Sequence, residues 1–345
     1  MRSLIALRAH RPTAAVEHLH AQLRTGYPDA RIVVVADQLH DTPPQAWPPG
    51  YEVVPLTDDV LVSAGLRTDL EDAGWRCGDY AYYALLAAYD VDRAWLVEPD
   101  VQFLGMDMGS FLDALDETEA DLIAADIRPG DGWLWSFQLT SRGGDAPWRC
   151  FFPLTRLSRA AIGASLDLRR RLQWIEGGDL GHPNDEGVVA TAVMNAGLTG
   201  EDLRLLQPDA FTHFHHRPKL HRDVVAALPD GVHVAHPCLE GGEFAQSVRR
   251  ECLRAVRDDL RALTSGRSRG PARTVETLGE FALLSDRENA LRFRIFGAPD
   301  AQYRHYDSGF RGNLLNALPV DVRGVVTIAH LLVRLLAPLA PRDRG

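Results

Sequence analysis

Arg93-Ala94-Trp95-Leu96-Val97-Glu98-Pro99-Asp100 is an apolar run that stops abruptly in acid. Its length and its apolar character on both sides read as a strand buried between helices, as parallel strands are. Just upstream, Gly78-Asp79-Tyr80 opens an Ala/Tyr/Leu stretch that reads as a helix to about Tyr89. Earlier still, Ser3 to Ala9 and the β-branched Arg31-Ile32-Val33-Val34-Val35-Ala36-Asp37 read as strands. Between them, Thr13 to Arg24 places Ala14, Ala15, Leu19 and Leu23 at helical spacing after Pro12. A short third strand, Tyr51 to Leu56, follows a Pro-rich loop. Downstream, Phe111 to Glu117 reads as a helix, and Ala120 to Ile127 as a strand that again ends in acid at Asp126. Strands alternating with helices at this spacing predict an α/β fold with an open, mostly parallel sheet flanked by helices.

The middle of the chain is less regular. Trp133 to Thr140 reads as a strand with aromatic alternation, and Cys150 to Ser158 as a strand leading into a helix to about Leu166. Asn184 caps a helix predicted over Asp185 to Asn195 and stopped by Gly197. A His-rich run comes next: His213, His215, His216, His221, His233 and His236.

Composition narrows the function classes. The chain has 345 residues, 46% hydrophobic and 24% charged, as ordinary globular proteins are. Lys+Arg 37 against Asp+Glu 47 leaves a formal charge of -10. That argues against a general nucleic-acid binder, which needs a basic surface. Four scattered cysteines (77, 150, 238, 252) with no C-x-x-C pair suit a reducing cytosol rather than a disulfide framework. The apolar start reaches Arg8, His10 and Arg11 too soon for a signal peptide, and no apolar stretch is long enough to span a membrane. The expected location is therefore cytoplasmic.

In open α/β sheets, ligands bind beyond the carboxyl ends of the strands. Glu98-Pro99-Asp100 sits at such an end, and in extended chain its two carboxylates would point to one side. Close acids repel unless a cation lies between them, and hard oxygen ligands suit Mg²⁺ or Mn²⁺. Taken alone, the triplet reads as a solvated acidic turn. Its context changes the weighing. Arg76-Cys77-Gly78-Asp79-Tyr80-Ala81-Tyr82-Tyr83-Ala84-Leu85-Leu86, followed by Ala94 to Phe103, resembles the nucleotide-sugar half of GT-A glycosyltransferases. There a helix precedes an apolar strand that delivers a D-x-D-like motif. The resemblance covers roughly residues 1 to 240 and is one of pattern; here the first acid is Glu and Pro99 intervenes.

The resemblance implies a metal-dependent transfer of sugar from a nucleotide-diphospho-sugar to an acceptor hydroxyl. Asp100, helped by Glu98, would hold the divalent cation (Mn or Mg) and the diphosphate. Asp37 would lie near the base or ribose, with a strand-end cap as its other reading. Arg76 and Asp79 would lie beside the nucleotide, although Asp79 also reads as an N-cap for the Tyr80 helix. Asp185 or Glu186, in His182-Pro183-Asn184-Asp185-Glu186-Gly187, would be the acceptor-side base; acids there also complement a helix dipole. His236, ending Val232-His233-Val234-Ala235-His236-Pro237, would complete the metal shell. The acceptor would be a glycan, a lipid-linked sugar or a small molecule.

Several features carry rival readings. His213 and His215 would share one face of a strand, which would suit a metal hydrolase built on His213, His215 and His216. A non-catalytic binding protein of the same fold is the other alternative. Trp133, Trp135, Trp148 and Trp174 would either stack on sugar rings or pack in the core. Cys150, before Phe151 and Phe152, reads as a buried inert thiol. Residues 264–273 read as a linker between a catalytic domain (1–263, with halves at about 1–130 and 131–263) and a C-terminal extension (274–345). Arg323, Thr327, His330 and Arg334 recur on one face of an otherwise apolar segment that ends at Pro338. This predicts an amphipathic helix, docked on the body or on a second copy, or else lying on a membrane surface.

Overall fold

The computed structural model describes residues 4–40, 42–105, 108–133, 135–143, 146–172, 182–216, 219–226, 231–265, 271–284, 291 and 315–336. The chain divides into two compact units, Met1–Thr212 and His213–Gly345.

The first unit is built on a seven-stranded sheet. Its strands are β1 (Leu4–Ala9), β2 (Ile32–Asp37), β3 (Glu52–Leu56), β4 (Arg93–Val97), β6 (Leu122–Pro129), β7 (Trp148–Ser158) and β8 (Gly200–Asp202), while a short β5 (Gln102–Leu104) follows β4 in sequence. The order across the sheet is β3-β2-β1-β4-β7-β6-β8. Every neighbouring pair is parallel except the two that β7 makes, so the sheet is mostly parallel, as the sequence predicts. Strands β1 and β2 are buried almost throughout because helices cover both faces, which is why their sequences lack polar alternation.

The helices of this unit are α1 (Ala14–Gly26), α2 (Asp58–Ser63), α3 (Ala73–Arg76), α4 (Tyr80–Ala88), α5 (Met108–Asp116), α6 (Ser136–Gly143), α7 (Arg159–Leu172), α8 (Asp185–Asn195) and α9 (Leu203–Leu206). Thr13 caps α1, its hydroxyl accepting from the Val16 N–H at 3.3 Å. Helix α4 is apolar nearly all round, and residues 80 to 85 are all buried. Tyr82 spends its hydroxyl within the core, donating to the Thr155 carbonyl at 2.9 Å. Helix α8 spans the predicted residues, with the Asn184 side chain accepting from the Gly187 N–H at 3.2 Å.

Two local expectations change. The strand expected over Trp133 to Thr140 is not found among its described residues: the Trp133 N–H closes a turn on the Gly130 carbonyl at 3.1 Å, and residues from Ser136 onward form α6. Ser136 and Thr140 bond back to carbonyls three and four residues earlier, as a helix allows. The segment 98–101 is also not extended, as described below.

The second unit holds the short strands β9 (His213–Phe214), β10 (Leu220–His221), β11 (His233–His236) and β12 (Cys238–Leu239), and the helices α10 (Arg222–Ala226), α11 (Gly241–Thr264), α12 (Ala272–Glu280) and α13 (Val320–Leu336). Its core joins Phe244, Val248 and Cys252 of α11 to Val275 and Leu278 of α12 and to Val322, Val326 and Val333 of α13. The amphipathic helix is thus docked on α11 and α12. Its buried face is not the one expected: His330 is buried, whereas Ile328, Leu331 and Leu335 are exposed. Residues 266–270 of the expected linker lie outside the described residues, as does Trp174. No described helix is long and apolar enough to cross a membrane.

Candidate active site at the sheet switch point

From β1 the chain adds β2 and then β3 on one side; β4 enters on the other. The crevice between β1 and β4, at the carboxyl ends of the strands, is therefore the topological switch point, where open α/β sheets bind ligands. Arg8 on β1 and Glu98 just after β4 meet there: Arg8 Nη1 donates to Glu98 Oε1 at 3.0 Å. Arg8 Nη2 donates to the Gly74 carbonyl, tying the crevice to α3. Burial works against the Arg8 charge, but Glu98, Asp185 and Asp37 outweigh it and hold the guanidinium above its ordinary value.

The acidic motif is a turn. The Glu98 N–H donates to the Pro153 carbonyl at 2.9 Å, and the Val101 N–H returns to the Glu98 carbonyl at 3.1 Å. Glu98-Pro99-Asp100-Val101 is thus a β-turn with proline at its second position, where a fixed φ favours it. This explains the proline that interrupts the acids. It also corrects the expectation of extended chain there, while the two carboxylates still converge, with an oxygen of Glu98 within 4.8 Å of one of Asp100. Both acids are half-buried. Their carboxylates are the hard oxygen donors that Mg²⁺ and Mn²⁺ take, so the donor chemistry fits such a cation.

Asp37 ends β2, and its Oδ1 accepts from the Leu39 N–H at 3.2 Å, the cap reading. Its other oxygen faces α3: a Cβ added at Gly74 would lie 2.7 Å from Asp37 Oδ2. Both readings of Asp37 are therefore compatible with its place.

Asp79 has a different task from either one expected. It stands before α4 but makes no side-chain cap bond. Fully buried, it accepts from Arg169 Nε and Nη2 at 2.7 Å each and from the Tyr83 hydroxyl at 2.6 Å. Arg169 also donates to the Pro183 carbonyl at 2.6 Å, fixing the segment that leads into α8. Arg76 bridges Asp72, donates to the His182 carbonyl at 3.2 Å, and lies 5.4 Å from the centre of the Trp135 ring. Burial, followed by Arg169, Arg67 and Arg76, pushes His182 down to about 4, so its imidazole is neutral at pH 7.

The two acids of α8 differ sharply. Asp185 is buried; its Oδ2 accepts the Gly78 N–H and its Oδ1 the Glu186 N–H, both at 2.8 Å. Burial, then Glu186 and Asp79, raises its carboxyl well above the usual range. Glu186 is half-buried and accepts from Asn184 Nδ2 at 2.9 Å. Cys150 is the inert thiol expected: it is buried, and burial pushes its ionisation well up.

In the second unit, His236 is buried at the end of β11, and its Nδ1 donates to the His215 carbonyl at 3.0 Å. That bond leaves Nε2 with its lone pair, the arrangement of ligating histidines whose other nitrogen is held by a carbonyl. Among the described residues, His213, His215 and His216 do not bring three ligand atoms within 4.8 Å of one another.

Sequence reasoning missed Arg8 and Arg169. An arginine inside an apolar strand, as in Leu4-Ile5-Ala6-Leu7-Arg8-Ala9, is the signal that could have found Arg8, because a buried charge needs a partner.

No protein-family model matches the sequence, and none of the curated proteins does. Solved structures similar to it include the galactosyltransferase LgtC in complex with donor and acceptor sugar analogues, at 12% identity over 68% of this chain and 87% of that one, with a TM-score of 0.34. Mouse xyloside xylosyltransferase 1 matches at 10% identity over 64% and 88%, with a TM-score of 0.32. The mannosyltransferase PcManGT from Pyrobaculum calidifontis, in complex with GDP-Man and Mn2+, matches at 12% identity over 98% and 86%, with a TM-score of 0.31. Likeness this distant does not bear on the reaction. The solved structures similar to this chain thus include GT-A-type glycosyltransferases, the kind that its sequence resembles.

Proposed function

We propose that the first unit binds a nucleotide-diphospho-sugar at the switch-point crevice and that the protein transfers its sugar to an acceptor hydroxyl with the help of a divalent cation. The observation that carries this reading is the Arg8–Glu98 pair, which places a buried cation and an acidic turn where open α/β sheets bind ligands.

Asp100, helped by Glu98, is the proposed ligand, the two carboxylates being hard donors suited to Mn²⁺ or Mg²⁺. Such a cation stabilises negative charge on a departing diphosphate. Arg8 balances the acids and Asp37 faces the ribose or base. Asp185 and the Asp79–Arg169 pair position α8 and Gly78 without touching substrate. Glu186, the more accessible acid of α8, takes the acceptor proton. The acceptor is a glycan, a lipid-linked sugar or a small molecule, and nucleic acid is not a substrate. We place the protein in the cytoplasm, with α13 available to a membrane surface or to a second copy.

Calorimetric titration of UDP and GDP with and without Mn²⁺ tests the reading. The expected result is metal-dependent binding of one nucleotide that Asp100→Ala abolishes. Binding indifferent to both the metal and the substitution would overturn it.

A further inference from the structure

We propose that Trp133 and Trp135 form a stacking platform for a pyranose ring beside Glu186, the acceptor subsite of the transferase; this rests on the donor-site reading above. Trp133 lies against the first turn of α8. Gly187 makes room for it, since a Cβ there would lie 3.1 Å from Trp133 Cζ3. The same point lies 3.5 Å from Asn184 Oδ1, and Asn184 Nδ2 donates to Glu186 at 2.9 Å, so Trp133 meets α8 beside the side chain that holds Glu186.

Neither indole is a core residue. Both are half-buried, and neither N–H has a hydrogen-bond partner among the described residues. Trp95 shows the contrast: it is fully buried and donates its N–H to Asp116 at 3.0 Å. Each rim indole instead has a guanidinium against its ring, Arg149 at 5.8 Å from Trp133 and Arg76 at 5.4 Å from Trp135. Both arginines are anchored, Arg76 by Asp72 and the His182 carbonyl, Arg149 by Asp126 at 3.3 Å.

Asp126 takes φ 57, a left-handed conformation unfavourable for a residue with a side chain, in a stretch where β6 and β7 lose register. Strain of this kind persists where surrounding structure enforces it, and it clusters at functional sites. A pyranose offers an apolar C–H face edged by hydroxyls. The indole rings meet the face, while the indole N–H groups and the Glu186 carboxylate meet the hydroxyls.

Saturation-transfer NMR on the full chain tests this, using the methyl α- and β-pyranosides of glucose, galactose, mannose and N-acetylglucosamine, with UDP or GDP and Mn²⁺ present. At least one pyranoside should bind the wild type. Trp133→Ala should weaken it about tenfold, equivalent to about 1.4 kcal/mol. Trp133→Phe should retain most of the affinity, showing that the loss is not misfolding, and nucleotide affinity should be unchanged in both variants. If no pyranoside binds, or Trp133→Ala binds it as the wild type does, the platform is overturned while the donor site stands. If the pyranoside effect appears but no nucleotide binds, the platform stands and the donor reading falls.

Discussion

Arg8 lies on β1 and Glu98 one residue past the end of the adjacent parallel strand β4, and their side chains join at 3.0 Å at the point where the strand order reverses. Removing one partner of such a pair leaves the other charge without compensation. Arg8→Met should destabilise the fold by about 3 kcal/mol, because Glu98 would lose its partner and Asp185 and Asp37 a nearby cation. Urea denaturation checks this. A variant as stable as the wild type would show that the pair is not a structural element of the crevice.

Gly78 should tolerate no side chain. An added Cβ would press on the Asp185 carboxylate and lie 2.8 Å from both Arg8 Nη1 and Phe152. Gly78→Ala should cost about 1–3 kcal/mol through overpacking. Gly163, inside α7 with nothing within 4 Å of an added Cβ, gives the opposite sign. Gly163→Ala should stabilise by about 0.5–1 kcal/mol by helix propensity. Melting curves of the two variants, measured side by side, check both.

The Asp79–Arg169 pair is fully buried and holds the approach to α8. Arg169→Met should cost about 3–5 kcal/mol, since it strands a buried carboxylate. Hydrogen exchange should show faster opening around residues 182–187 in that variant. Unchanged protection there would contradict the positioning role.

His182 sets a pH dependence with a definite sign. Its native value, about 4, lies below the ordinary histidine value near 6.5. Between these limits the unfolded chain binds more protons than the folded one, so stability rises with pH across that window and falls on acidification. His182→Gln should flatten the stability profile between about pH 4 and 6.5. Denaturation midpoints measured across that range check it, together with an NMR titration of the imidazole in the native protein.

Much of the fold was legible in the sequence because burial on both faces leaves an unbroken apolar run. Val33-Val34-Val35 and Trp95-Leu96-Val97 could hardly be anything but inner strands. The cap at Asn184 and the stop at Gly197 fixed α8 from local chemistry alone. Long-range pairing was not legible. Asp79 carries the local signature of a cap, yet Arg169, 90 residues away, claims its carboxylate. The aromatic alternation at Trp133 and Trp135 imitates a strand, while the bonding of Ser136 and Thr140 is helical. In α13 the buried side is the stripe of Val322, Val326, Ala329 and Val333, at spacings of 4, 3 and 4; the apolar but exposed Ile328, Leu331 and Leu335 hid that stripe in the sequence.

The most direct test is a crystal structure of the protein soaked with UDP or GDP and Mn²⁺. The account predicts a diphosphate in the crevice between β1 and β4, near Arg8, with the metal against the Asp100 carboxylate. A nucleotide bound elsewhere, or an Asp100 carboxylate turned to solvent with no metal beside a bound nucleotide, would contradict it.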